Sequence, residues 1–202
     1  MMVDADFRSL ASVAAVQAGF PFRGAIEDMP HGDVRVVQMK DVDPELGVMW
    51  RGCSRSSLGG RKRPDWLRAG DLLFLAKGAR YFAVHLAEPS APAVCAPAFF
   101  HVRVHDTTVV DPAFIAWQIN QPPCQRQLLQ AAEGSNQLSI RRPALEQLRL
   151  SVPAIAEQRR IVALAQLARD ERQALHRLIH IREQQLHAIA ESLTSIANAT
   201  SP

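Results

Sequence analysis

The chain has 202 residues, 48% of them hydrophobic, enough for one core plus an appendage and too apolar for a disordered or fibrous protein. No apolar run approaches the roughly eighteen residues that span a bilayer, and the N-terminus carries Asp4 and Asp6 instead of a basic leader, so a cytoplasmic protein with no membrane partner is expected. Cys53, Cys95 and Cys124 are scattered, odd in number and form no CxxC pair, which excludes a disulfide framework and a zinc site of the usual kind. The net charge of +3 is unevenly spread. Residues 1–48 hold four basic and eight acidic side chains, a net of −4, whereas residues 49–80 hold eight basic and two acidic, a net of +6. A local positive field of this kind attracts polyanions whatever the overall charge.

In chain order, residues 34–39 read as a strand closed by Asp41-Val42-Asp43-Pro44. The segment 54–65 is a polar basic loop containing the flexible pair Gly59-Gly60. Gly70-Asp71 opens the strand 72–76, and Lys77-Gly78-Ala79-Arg80 connects it, with two cations, to a strand over 81–86. A proline-rich loop from Pro89 to Pro97 precedes the strand 99–105. Its alternation puts His101, Arg103 and His105 on one face, expected to look outward, and Phe100, Val102 and Val104 on the other. Two short helices, Pro112 to Asn120 and Cys124 to Ala132, are split by Pro122-Pro123; a turn at Gly134-Ser135-Asn136 then leads to a short strand around Leu138 to Ile140.

After Pro153, which suits a first helical position, neither proline nor glycine interrupts the chain until Pro202. Spacings of four and three pick out Ile161, Ala165, Ala168, Arg172, Leu175, Ile179, Arg182, Leu186, Ile189, Leu193 and Ile196, of which nine of eleven are apolar. This is a coiled-coil seam broken by two arginines. A helix of about forty residues extends roughly 60 Å, more than a small domain needs to cover its own core, so the surplus asks for a partner. The alternative is a terminal helix folded back on its own domain. Expected boundaries are a mixed α/β (α+β) domain over 1–150, a long coiled-coil helix over 151–198 and a tail at 199–202.

Several segments, in order, resemble the DNA-specificity subunit of type I restriction-modification systems. They are Gly19-Phe20-Pro21-Phe22-Arg23, the strand Val34 to Met39 ending in Lys40-Asp41-Val42, Gly70-Asp71-Leu72-Leu73-Phe74, and Gly134 to Ile140 leading to Pro153-Ala154-Ile155-Ala156-Glu157-Gln158-Arg159-Arg160-Ile161. The last matches a pattern in which a short strand precedes P-x-x-x-E-Q-x-x-I and a long helix. The resemblance implies a target recognition domain that reads double-stranded DNA, with the helix as spacer and docking element for a DNA methyltransferase subunit. The usual family member carries two recognition domains and two antiparallel helices in one chain; this sequence has one of each and looks like a half-subunit. Two copies are then expected to pair, through Ile161, Ala165, Ala168, Leu175, Ile179, Leu186, Ile189 and Leu193, and to read an inverted repeat.

Candidate DNA contacts are Arg51, Arg55, Arg61, Lys62, Arg63, Lys77 and Arg80, since arginine forks suit guanine edges and lysines neutralise phosphate. His176, His180 and Glu183 share a helical face, but a further ligand is missing and no metal site is expected. No glycine-rich nucleotide loop, GxSxG or Asn-Pro-Pro-aromatic signature occurs; Gln121-Pro122-Pro123-Cys124 lacks both the asparagine and the aromatic. The expectation is a non-catalytic subunit of a restriction or related phage-defence methylation system, without its own cofactor. S-adenosylmethionine chemistry would come from the methyltransferase, with a restriction or translocase subunit as a further partner. The rival reading is a non-enzymatic coiled-coil adaptor whose α/β domain binds a protein.

Overall fold

Apolar residues at alternate positions of four strands account for the centre of the fold in the computed structural model, which describes residues 6–59, 63–78, 80–134 and 138–199. Strands β2 (Ala14–Ala18), β7 (Leu72–Leu75), β8 (Phe82–His85) and β10 (Phe99–Val104) form an antiparallel sheet in the order β2-β10-β7-β8. All four residues of β7 are buried, as expected of a strand covered on both faces. One face, with Val16, Leu72, Phe74, Val102 and Val104, packs on helical residues that include Phe114, Ile115, Ile119 and Leu128. The other, with Leu73, Leu75, Val84 and Phe99, packs on Val37, Cys53, Leu67, Ala93 and Cys95.

The residues covering that second face come largely from a further sheet, β6-β3-β9, built from β3 (Val34–Val37), β6 (Ser54–Ser56) and β9 (Ala93–Cys95). Here β3 runs antiparallel to β6 and parallel to β9. A two-residue pair, β4 (Val42–Asp43) with β5 (Gly47–Val48), lies between β3 and β6 in the chain. The Gly19-Phe20-Pro21-Phe22 motif has a packing cause. A Cβ at Gly19 would collide with the Ala96 carbonyl, while Phe20 and Phe22 stack edge to face at 5.1 Å beside Val34, Val36 and Val94.

Three of the helices carry proline in their first turn. Helix α1 (Leu10–Val13) is one turn; α2 (Pro112–Ile119) is capped by Asp111, which accepts from the amides of Ala113 and Phe114. The two short helices expected on either side of Pro122-Pro123 are both present, with the prolines included in the second as the opening of α3 (Pro122–Gln130), and Pro143 sits in the first turn of α4 (Arg142–Glu146). Asn120, just past α2, covers the free edge of β8: the Ala83 amide donates to its Oδ1 and its Nδ2 donates to the Ala83 carbonyl, both at 2.8 Å. The strand expected around Leu138 to Ile140 is reduced to isolated bridges from Ser139 to Lys77 and Glu133. Of the turn at Gly134-Ser135-Asn136, the last two residues fall outside the described residues.

A ladder that periodicity does not suggest joins the two ends of the domain. Strand β1 (Asp6–Ser9) pairs antiparallel with β11 (Arg149–Val152), Asp6 opposite Val152 and Ser9 opposite Arg149. Pro153 ends β11, and α5 (Ile155–Ala199) starts two residues later than the proline rule suggests. The chain divides into two units at Val162/Ala163. Within the first, Ile161 and Val162 pack on the domain core and Gln158 is fully buried. The Gln158 Oε1 accepts from the Asp111 amide at 2.8 Å, and its Nε2 donates to the carbonyls of Val109 at 3.0 Å and Pro153 at 2.7 Å. The Gln of the Glu-Gln motif is therefore a clamp between the helix start and the cap of α2. The fold is mixed α+β followed by a long C-terminal helix.

Gln158→Leu keeps the volume and strands the Asp111 amide and the Pro153 carbonyl without partners. It is expected to destabilise the protein by about 2–4 kcal/mol, read from urea denaturation midpoints at unchanged m-value.

Candidate nucleic-acid interface

The basic residues of the segment 49–80 reach the surface from separate elements. Arg51 is exposed in a single helical turn, Trp50–Gly52, whose Trp50 packs on the core. Arg55 is exposed at the centre of β6, directly opposite Arg35 on β3. The Arg55 amide donates to Asp28 Oδ1 at 2.8 Å, and Arg35 Nη1 donates to the Cys53 carbonyl at 2.9 Å, so Arg35 braces the strand that presents Arg55. Arg63 is exposed in irregular chain, while Arg61 and Lys62 lie outside the described residues.

Lys77 and Arg80 are exposed on the connection between β7 and β8. The strand rise places Lys77 about 20 Å from Asp71, at the far end of β7.

On the helix, Ile161 is used by the domain core, whereas Leu175, Ile179, Leu186 and Ile189 are exposed, as are Leu164, Leu167, Leu178 and Ile181 off the seam. Ala165 and Ala168 are half-buried, and the side chain of Leu193 lies outside the described ones.

Of the outward polar face expected of strand 99–105, His105 is exposed and Arg103 half-buried, whereas His101 is not outward at all. His101 is 3% exposed, because the second sheet covers this face. Opposite it lies the buried Asp71 of the Gly-Asp motif. Arg103 grips the Asp71 carboxylate with Nε and Nη2, both at 2.7 Å, and His101 Nε2 lies 2.8 Å from Asp71 Oδ2. The same carboxylate accepts from the Arg68 amide at 2.8 Å, and Arg103 Nη2 donates to the Trp66 carbonyl at 2.9 Å. Burial opposes ionisation of Asp71, but the hydrogen bonds from His101 and Arg103 outweigh it and hold its pKa down at about 2. The Asp71 carboxylate in turn pushes the Arg103 guanidinium up. Nothing in the sequence marked this pairing except the motif itself and the spacing of two polar residues on one strand.

The three thiols offer no nucleophile: burial pushes Cys53 and Cys95 up to about 12 and Cys124 up to about 11. Among the described residues, no group of three or more His, Cys, Asp or Glu side chains could hold a metal, and no helix is long and apolar enough to cross a membrane.

A depressed carboxylate stabilises the fold above its unfolded pKa of about 3.9 and loses that contribution as pH falls through the folded value. Stability is therefore expected to drop by about 2 kcal/mol between pH 4 and pH 2 on account of Asp71. Acid titrations of the wild type against Asp71→Asn, which should lack this component, check it.

No family model matches the chain, and no curated protein matches it in sequence. Solved structures do. The S subunit of a type I restriction-modification system from M. genitalium superposes with a TM-score of 0.61 at 14% identity, over 98% of this chain and 47% of its own. The HsdS subunit from Thermoanaerobacter tengcongensis gives 0.63 at 16%, over 92% and 47%. A chain from a structure of type I R-M complex assembly and conformational transition gives 0.67 at 15%, over 98% and 50%. The chain spans about half the length of these proteins, and its fold is that of half a type I restriction-modification S subunit.

Proposed function

We propose that the chain is a DNA-sequence-recognition subunit of a type I-like restriction-modification or related methylation system. The observation that carries this reading is the match of nearly the whole chain to about half the length of solved S subunits. The exposed Arg51, Arg55, Arg63, Lys77 and Arg80, with Arg61 and Lys62, would supply phosphate neutralisation and guanine forks. Catalysis would belong to a methyltransferase subunit carrying S-adenosylmethionine, with a restriction or translocase subunit as a further partner.

Two copies would pair through α5. An exposed stripe that includes Leu175, Ile179, Leu186 and Ile189 supports that pairing, since so much apolar surface on a monomer is a solubility hazard. A two-fold pair would read an inverted repeat separated by a spacer of fixed length and free sequence.

Light scattering on the purified protein is expected to give about 45 kDa, twice the 22.3 kDa chain, and the double variant Ile179→Glu/Leu186→Glu a single-chain mass. A wild-type monomer, alone and with its methyltransferase subunit, would remove the paired model. In anisotropy titrations with a fluorescent duplex, affinity is expected to fall steeply between 50 and 200 mM salt. Arg55→Ala should weaken binding to all sequences alike and lower the log–log salt slope by about 1. Binding that ignores salt would leave the protein-binding adaptor as the reading.

A further inference from the structure

The segment from Asp65 to Asp71 belongs to no helix or strand, yet the framework holds it residue by residue. The Gln17 side-chain amide on β2 donates to the Asp65 carboxylate. The Trp66 carbonyl accepts from Arg103 at 2.9 Å, the Leu67 amide donates to the Ala93 carbonyl at 2.9 Å, and the Arg68 amide donates to Asp71 at 2.8 Å. The Gly70 amide donates to the Leu86 carbonyl at 3.0 Å, and Leu67 is buried. Two large side chains are left facing out. Trp66 is 38% exposed and Arg68 is exposed, and both line an open groove of about 920 Å³ with Asp33 and Glu88 on its wall.

A loop fixed at so many points is built to present something. The ionic cluster that fixes it, with Asp71 and His101 buried and Arg103 half-buried, is poorly explained by stability alone, because apolar residues of equal volume commonly stabilise as well as a buried ion pair. An apolar replacement could not grip the Trp66 carbonyl and the Arg68 amide. The groove's chemistry selects among ligands. Its two carboxylates repel phosphate but accept from the exocyclic amino groups of cytosine and adenine, Arg68 forks to guanine, and an indole face packs on thymine methyls.

We infer that Arg103 is a positioning residue for base reading: through Asp71 and the Trp66 carbonyl it fixes the loop so that Trp66 and Arg68 meet base edges in this groove. This rests on the DNA-recognition reading above and deepens it. Phosphate attraction comes chiefly from the cations of the segment 51–63 and from Lys77 and Arg80; the rigid loop adds discrimination. Lysine cannot replace Arg103 here, since it offers one point charge to Asp71 and no planar fork to hold carboxylate and carbonyl together.

The test selects bound sequences from a randomised 40-base-pair duplex pool with the full-length wild type, then measures affinity for the enriched duplex and for a scrambled duplex. Arg103→Gln and Arg103→Lys are expected to lower the ratio of the two affinities at least tenfold while leaving the scrambled affinity within twofold. Trp66→Ala, at the surface, should also lower the ratio of the two affinities, with an unchanged melting temperature, and it decides the matter if the Arg103 variants do not fold. A ratio unchanged in Arg103→Lys or in Trp66→Ala overturns the positioning role while DNA recognition stands. A wild type that enriches no sequence and shows no salt-dependent binding overturns the recognition reading, and this inference with it.

Discussion

A sheet that is apolar on both faces must be covered twice, and the rest of the domain follows from that constraint. β7, with four consecutive buried residues, has no wet side. Helices α2 and α3 close one face through Phe114, Ile115, Ile119 and Leu128; a second sheet closes the other through Val37, Ala93 and Cys95. Covering an element twice fixes its neighbours in three dimensions with little freedom left, because close-packed interiors do not slide. The irregular chain at the surface inherits that rigidity.

The second layer brings a problem of its own. A polar group caught between two sheets loses water, so it must find partners there or cost several kcal/mol. Asp71, His101 and Arg103 meet this demand together, with main-chain amides and carbonyls completing the set. Gln158 meets it at the helix start, and Asn120 at the edge of β8. In each case a side chain does the work of a backbone partner and joins segments distant in the chain.

What the sequence made legible was local. The strands with apolar runs, the helices opened by proline and the uninterrupted long helix all carry their causes within a few residues. β1 does not: Asp6-Phe7-Arg8-Ser9 has no alternation to read and becomes a strand only because Arg149–Val152 lies beside it. β2, rich in alanine, favours helix by propensity and is overruled by its ladder to β10. The face of His101 and Arg103 was misread for the same reason, since alternation reveals two faces but not whether a distant sheet will cover the polar one. The cations were legible as charge, but the elements that carry them, among them β6 and the β7–β8 connection, were not.

The pairing of β1 with β11 makes the chain's way into the domain and its way out neighbours, two strands of one ribbon. Everything between Ser9 and Arg149 hangs from that ribbon like a cartridge in a holder. Genetic exchange with both crossovers inside the ribbon could replace the whole intervening body and leave the first turns of α5 on the same footing, provided the newcomer offers Gln158 an amide and a carbonyl in the same place. A protein so arranged can change what it holds without rebuilding how it is held.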